Sequence, residues 1–288
     1  MRITLDKYRY LAFNVIKRSE RMIRINIYIM TDLEGISGIY TEEQIEPNRS
    51  RFDEGRRLMT REINICAEAC KAAGADKVIV RDVHGGSYTM LWDQLSPAVD
   101  SVVCGWTGTN RFVGLGDCDG VILLGYHAMA GAEDALLEHT MMRHAYRRFK
   151  VNNTPFGEIG IDSAILGDYQ VPVIMVSGSA RACAEAKQFL TWVTTVEVKQ
   201  DAADCGAVLL SPAESEKRIR AGVKAAIDCL KNGKTGIHVV EKPVRIRLEC
   251  HPTHPLPSAE GKPYMTVIDE HTYEVTGETI EEALWRVF

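Results

Sequence analysis

Four features are missing from this 288-residue chain, and each absence removes a class of protein. No apolar run reaches the roughly 18 residues that a membrane helix needs. There is no surplus of positive charge: 34 Lys and Arg stand against 39 Asp and Glu, so no basic face is expected to neutralise the phosphates of nucleic acid. There is no CxxC pair. The eight cysteines, at positions 66, 70, 104, 118, 183, 205, 229 and 250, are scattered through predicted strands and helices, which implies reduced thiols in a cytoplasm rather than a disulfide framework. Finally, no internal repeat or low-complexity segment stands out. What is present, 45% hydrophobic and 25% charged residues, is ordinary soluble globular composition with small molecules as the expected partners.

Residues 1–21 carry six Lys and Arg against Asp6 and Glu20, and Asn14 interrupts their apolar stretch without a small-residue cleavage site. They are expected to be an extension outside the fold, an organellar presequence being the weaker option. Beyond them, IRINIYIMTDLE, DKVIVRDVHGG and DGVILLGYHA each read as a strand leaving a core and ending in polar residues. Between the first two, Leu58, Ile65, Ala69 and Ala72 recur at helical spacing and Gly74 supplies a stop. Short connections then predict parallel strands with right-handed crossovers. VPVIMVSGS follows the helical GEIGIDSAILGDY and precedes SARACAEAKQFL, continuing the alternation. The expected fold is α/β, a mostly parallel sheet covered by helices over residues 22–210, with a smaller mixed α+β C-terminal unit over 211–288. In that unit Thr279 is expected to cap a last helix whose Ile280, Ala283 and Leu284 face inward.

The chemistry collects where such sheets bind ligands, at the carboxyl ends of the strands. The first strand ends in Asp32 and Glu34, the second in Asp82 and His84, the third in His127, and Glu158 opens a predicted helix. Taken singly, each residue has a plain structural role: a turn cap, a core histidine, an acid favoured by a helix dipole. Three successive strands ending in metal-ligand residue types are harder to assign to packing, because unpaired buried charge is costly. Five side chains exceed the three ligands of a usual catalytic zinc site, which favours two ions sharing a carboxylate. Three carboxylates against two divalent ions leave one positive charge, and such a site lowers the pKa of water to about 7. Mixed nitrogen and oxygen ligands suit zinc and also admit manganese, cobalt or iron. GWTGTNRFVGLGD is glycine-rich but lacks the lysine and spacing of a phosphate loop, and reads as a mobile connection lining the site. His251 and His254 in CHPTHP are expected in an exposed loop, His144 at the surface, and Cys66 and Cys70 on one buried helix face.

TDLEGISG, RDVHGG, LLGYHA, LEHTMM and PFGEIGIDSAILGDYQVPVIMVSG resemble, in order and spacing, the signature segments of the DppA-type zinc D-aminopeptidases, a bacterial metallopeptidase family. The resemblance implies two zinc ions per subunit, with Asp32 bridging, Glu34 and His84 on one ion, and His127 and Glu158 on the other. It makes His139 the candidate catalytic side chain, stabilising an oxyanion or passing a proton to the leaving amine. It also implies a homodecamer and N-terminal D-residues of short peptides or amino-acid amides as substrates. Met30 and Val83 stand where the family favours serine, and GSARA where a relative has a pair of acids. Two other readings use the same residues: a two-metal phosphoester hydrolase, and a protein that binds metal or a small ligand without turnover. Only Arg81 offers positive charge near the ligands, which weakens the phosphoester reading.

Overall fold

The computed structural model describes residues 24–202 and 206–288; the proposed extension over residues 1–21 lies outside the described residues. Six strands run parallel in one sheet: β1 (Asn26–Thr31), β2 (Lys77–Asp82), β3 (Ser101–Val103), β4 (Gly120–Tyr126), β7 (Val173–Ser179) and β8 (Thr194–Asp201). β9 (Ala207–Leu209) closes its edge antiparallel to β8, and the order is β3-β2-β1-β4-β7-β8-β9. The inner strands β1, β4 and β7 are buried at every position, as their unbroken apolar sequences require of strands covered on both faces.

On one face, α1 (Phe52–Ala72) and α4 (Pro212–Lys231) share a core with the outward residues of the sheet. Met59, Ile63, Cys66 and Cys70 recur every three to four residues in α1, and Gly74 at φ +92° ends the segment where a side chain would be strained. Ser211 caps α4 by accepting from the Glu214 amide, with Pro212 in the first turn. On the other face lies α2 (Glu158–Asp168), buried along its length until Asp168, together with α3 (Ala180–Phe189). The core there continues into a second, antiparallel sheet of order β11-β12-β10-β5-β6. Its strands are β5 (Tyr146–Val151), β6 (Thr154–Pro155), β10 (Val244–Cys250), β11 (Met265–Val267) and β12 (Thr272–Gly277), and α5 (Ile280–Trp285) packs on it with Thr279 capping through the Glu282 amide. The α/β class with a smaller mixed unit is therefore present. The boundary expected near residue 210 falls between β9 and α4; α4 packs on the first sheet, while β5 pairs with β10 from beyond it. Among the described residues, no helix is long and apolar enough to cross a membrane.

β1 and β4 lie side by side, yet the chain leaves β1 toward β2 and leaves β4 toward β7. The strand order thus reverses between them, which opens a crevice at their carboxyl ends. Asp32 and His127 stand at those two ends.

Candidate metal centre

Asp32, Glu34, His84, His127, Glu158 and His139 come together. After β1 the chain turns rather than staying extended: the Asp32 amide donates to the Leu124 carbonyl at 2.9 Å and the Gly35 amide to the Gly125 carbonyl at 2.8 Å. A Cβ at position 35 would lie 2.0 Å from the Tyr126 carbonyl oxygen, so only glycine lets this turn lie against the end of β4. Glu34 consequently reaches the site from a turn. Asp82 takes no part in it. Its Oδ1 accepts from the His84 amide at 3.1 Å and its Oδ2 from the Thr89 and Met90 amides, so it pins both ends of the loop that presents His84.

Asp32 divides its two oxygens between two imidazoles: Oδ1 is 3.3 Å from His84 Nδ1 and Oδ2 is 3.2 Å from His127 Nε2. His84 Nδ1 is also 3.1 Å from Glu34 Oε2, and His127 Nε2 is 3.4 Å from Glu158 Oε1. His127 Nε2 is buried and makes no hydrogen bond of acceptable geometry despite these neighbours. Two ligand atoms about 2.05 Å from one tetrahedral zinc are about 3.3 Å apart, the spacing seen here on both sides of Asp32. The donor set therefore fits two cations.

Backbone carbonyls set the imidazole tautomers. Ile45 O faces His84 Nε2 at 2.9 Å, Ala128 O faces His127 Nδ1 at 2.9 Å, and Leu137 O faces His139 Nδ1 at 3.1 Å. A carbonyl only accepts, so each of these nitrogens carries a proton, and the other ring nitrogen is the one aimed at the carboxylates. His139 stacks on His127 with centroids 3.9 Å apart and planes at 7°, and its Nε2 lies 3.9 Å from Glu34 Oε1 and 3.8 Å from Glu158 Oε1. It thus sits just outside the spacing of the other five.

Burial penalises the charged carboxylates and each raises its neighbour, but the imidazoles outweigh both effects: Asp32 and Glu34 are held below their ordinary values and Glu158 is lowered to about 2. Burial disfavours protonated His84 and His127, yet the adjacent carboxylates hold both well above the usual range. Burial, and then the charge of His127, push His139 the opposite way, which leaves it a neutral base. The pocket demands positive charge, which divalent cations would supply on displacing the protons from the carboxylate-facing nitrogens of His84 and His127.

Sequence reasoning missed the groups that hold these ligands. Arg111, from the glycine-rich connection, makes a buried two-pronged ion pair with Asp162, whose Oδ2 also accepts from Tyr126 Oη at 2.7 Å; Arg111 Nη2 lies 3.5 Å from Glu158 Oε2. The Met141 amide donates to Glu158 Oε1 at 2.9 Å. Buried Lys199 on β8 donates to the carbonyls of Glu34, Ile36 and Ile39, and its pKa is lowered to about 8 by burial. Asp162 alone left a signal, since it stands one helical turn after Glu158 and shares its face. His144 is exposed; His254 packs its ring against Tyr146, centroids 6.0 Å apart, and among the described residues His251, His254 and His271 form no metal-binding group.

A family model described as D-aminopeptidase matches residues 25–287. A D-aminopeptidase of Bacillus subtilis (strain 168) is 33% identical over 192 residues, covering 66% of this chain and 69% of the relative. A solved structure described as the Zn-dependent D-aminopeptidase DppA from Bacillus subtilis, a self-compartmentalizing protease, matches with a TM-score of 0.84 at 27% identity, over 91% of this chain and 94% of that one. The chain belongs to the D-aminopeptidase family, and with it to the hydrolases that cleave peptide bonds.

Proposed function

We propose that the chain is a dinuclear zinc aminopeptidase that removes the N-terminal D-residue from short peptides or amino-acid amides. Asp32 would serve both ions, with Glu34 and His84 on one and His127 and Glu158 on the other. The observation that carries this reading is the division of the Asp32 oxygens between His84 and His127 at 3.3 and 3.2 Å. When bound, two such ions supply Lewis acidity at a scissile carbonyl and bring the pKa of water toward 7; manganese, cobalt or iron suit the same donors.

The chain's own part falls to His139. Its Nδ1 proton is held by Leu137 O, its ring is fixed by stacking on His127, and its depressed pKa keeps Nε2 free to accept a proton near neutral pH. From that position it can return the proton to the leaving amine. D-specificity is carried over from the relatives, as is assembly: the protein of the solved structure is described as self-compartmentalizing, which supports a homo-oligomer here, and we infer a homodecamer. The seven described cysteines are all free, in keeping with a cytoplasmic setting.

The test is release of p-nitroaniline from D- and L-alanyl p-nitroanilide by protein of known metal content, before and after chelation. Two zinc ions per chain, turnover of the D-substrate and its loss on chelation are expected. Turnover with one ion per chain would remove the dinuclear assignment, and equal rates on both enantiomers would remove the D-specificity.

A further inference from the structure

Arg81 on β2 is a buried cation outside the set just described. It pairs in register with Met30 on β1, two residues before Asp32. With strands about 4.8 Å apart and about 3.3 Å of rise per residue, its Cα lies about 8 Å from that of Asp32. Only 6% of the residue is exposed. Nη2 donates to Thr107 Oγ1 at 2.9 Å, whereas Nε and Nη1 are buried and donate to nothing.

Among the described residues, no carboxylate pairs with it. The titratable groups facing it are Tyr28, Tyr126, Arg111, Asp162 and Cys104. Asp162 is taken by Arg111 and Tyr126, and the Tyr28 hydroxyl donates to Val113 O at 2.8 Å. Arg111 is thus engaged by Asp162 and lies 3.5 Å from Glu158, whereas Arg81 keeps its charge with Nε and Nη1 without an acceptor. A guanidinium does not discharge by losing its proton, so such an arrangement calls for an anion. Thr107, which accepts from Arg81, lies between Gly105 and Gly108, both at positive φ, and a Cβ at either would meet nothing within 4 Å.

We propose that Arg81 is a carboxylate-binding residue that receives the C-terminal carboxylate of a short peptide whose N-terminal residue lies at the Asp32 cluster. This rests on the aminopeptidase reading above. A guanidinium holds a carboxylate through two parallel N–H groups, Nη2 with either Nε or Nη1, and one such group suits a singly charged carboxylate better than a phosphate ester. An extended dipeptide spans about 7 Å, against about 8 Å between the Cα atoms of Arg81 and Asp32. The enzyme would then favour very short peptides with a free C-terminus.

The test is calorimetric titration of the zinc-loaded protein with a D-alanyl-D-alanine analogue in which CH2–NH replaces the scissile amide, as free acid and as C-terminal amide. The wild-type protein is expected to bind the acid about 10- to 100-fold more tightly. Arg81→Met should bind both forms alike, and Arg81→Lys should recover part of the preference, with circular dichroism and zinc content checked for each. Equal wild-type affinity for the two forms, no binding of either at millimolar concentration, or a preference that survives in Arg81→Met would each overturn the proposal. Displacement of the acid by free D-alanine at equal affinity would also overturn it, because the carboxylate held would then be a product's. Since no turnover is measured, acid preference in a protein inactive on D-alanyl p-nitroanilide would retain Arg81's role and remove only the aminopeptidase reading. Should Arg81→Met fail to fold, the wild-type comparison and Arg81→Lys decide the matter.

Discussion

His139 and Lys199 act on the site in different ways, and substitution separates them. His139 lies 3.8 and 3.9 Å from its two glutamates, against 3.1 to 3.4 Å among the five proposed ligands. His139→Ala is therefore expected to keep two zinc ions per chain while kcat falls about 100-fold or more, the usual worth of a positioned acid-base group. Elemental analysis alongside D-alanyl p-nitroanilide turnover checks this, and loss of an ion would make His139 a ligand instead. Lys199 touches only backbone, but the carbonyls it gathers belong to Glu34, Ile36 and Ile39. Lys199→Met preserves length and removes the donor shared by those carbonyls, of which only that of Ile36 keeps another, from the Ile39 amide, so the turn bearing Glu34 loosens. We expect zinc affinity at one of the two positions to fall about 10- to 100-fold, as for other groups that orient ligands, with partial recovery in Lys199→Arg. Competitive chelator titration measures it.

Contacts between segments distant in the chain carry this support further. Glu281, on α5, accepts from the Arg111 amide at 2.7 Å through one oxygen and from Tyr169 Oη at 2.8 Å through the other. It thereby ties the connection carrying Arg111 to the end of α2, the helix that Glu158 opens. Glu281→Ala should release Arg111 from Asp162 and Glu158, raising KM and weakening zinc retention while circular dichroism stays unchanged; Glu281→Gln, which keeps one acceptor oxygen for the Arg111 amide and offers its NH2 to the Tyr169 oxygen, should restore part of both. Such ties explain what could be read in advance. Asp32, Glu34, His84, His127 and Glu158 were legible because each ends or opens an element whose periodicity is local, and the crevice rule then puts them together. Arg111 was not, because its place depends on Glu281, 170 residues away. Lys199 stands in TTVEVKQD, where no local pattern marks it as buried. The β5–β10 pairing joins Phe149 to Leu248 across almost 100 residues, which is why the second sheet does not follow a boundary drawn from local rhythm.

Assembly and stability belong to the protein entire. The inferred decamer predicts a particle about ten times the mass of the 32.1 kDa chain, which light scattering resolves from monomer or dimer. Stability should also depend on pH through Glu185 on α3, a residue 3% exposed. Its Oε2 accepts from the Met129 amide at 2.7 Å, two residues past His127, and its Oε1 sits 2.3 Å from where a Cβ at Gly157 would be, one residue before Glu158. The carboxyl thus wedges together the two segments that present His127 and Glu158. Burial pushes its pKa up to about 7, from about 4.3 in an unfolded chain. A raised acid binds more protons folded than unfolded, so its contribution is fully present below about pH 4.3 and is lost as pH rises through about 7. Glu185→Gln keeps an acceptor for Met129 and cannot ionise. The melting temperature of the variant should consequently exceed that of the wild type by a margin that grows from pH 5 to pH 8. A margin that stays constant across that range would mean that Glu185 is already charged in the folded protein and that its charge is met by a partner.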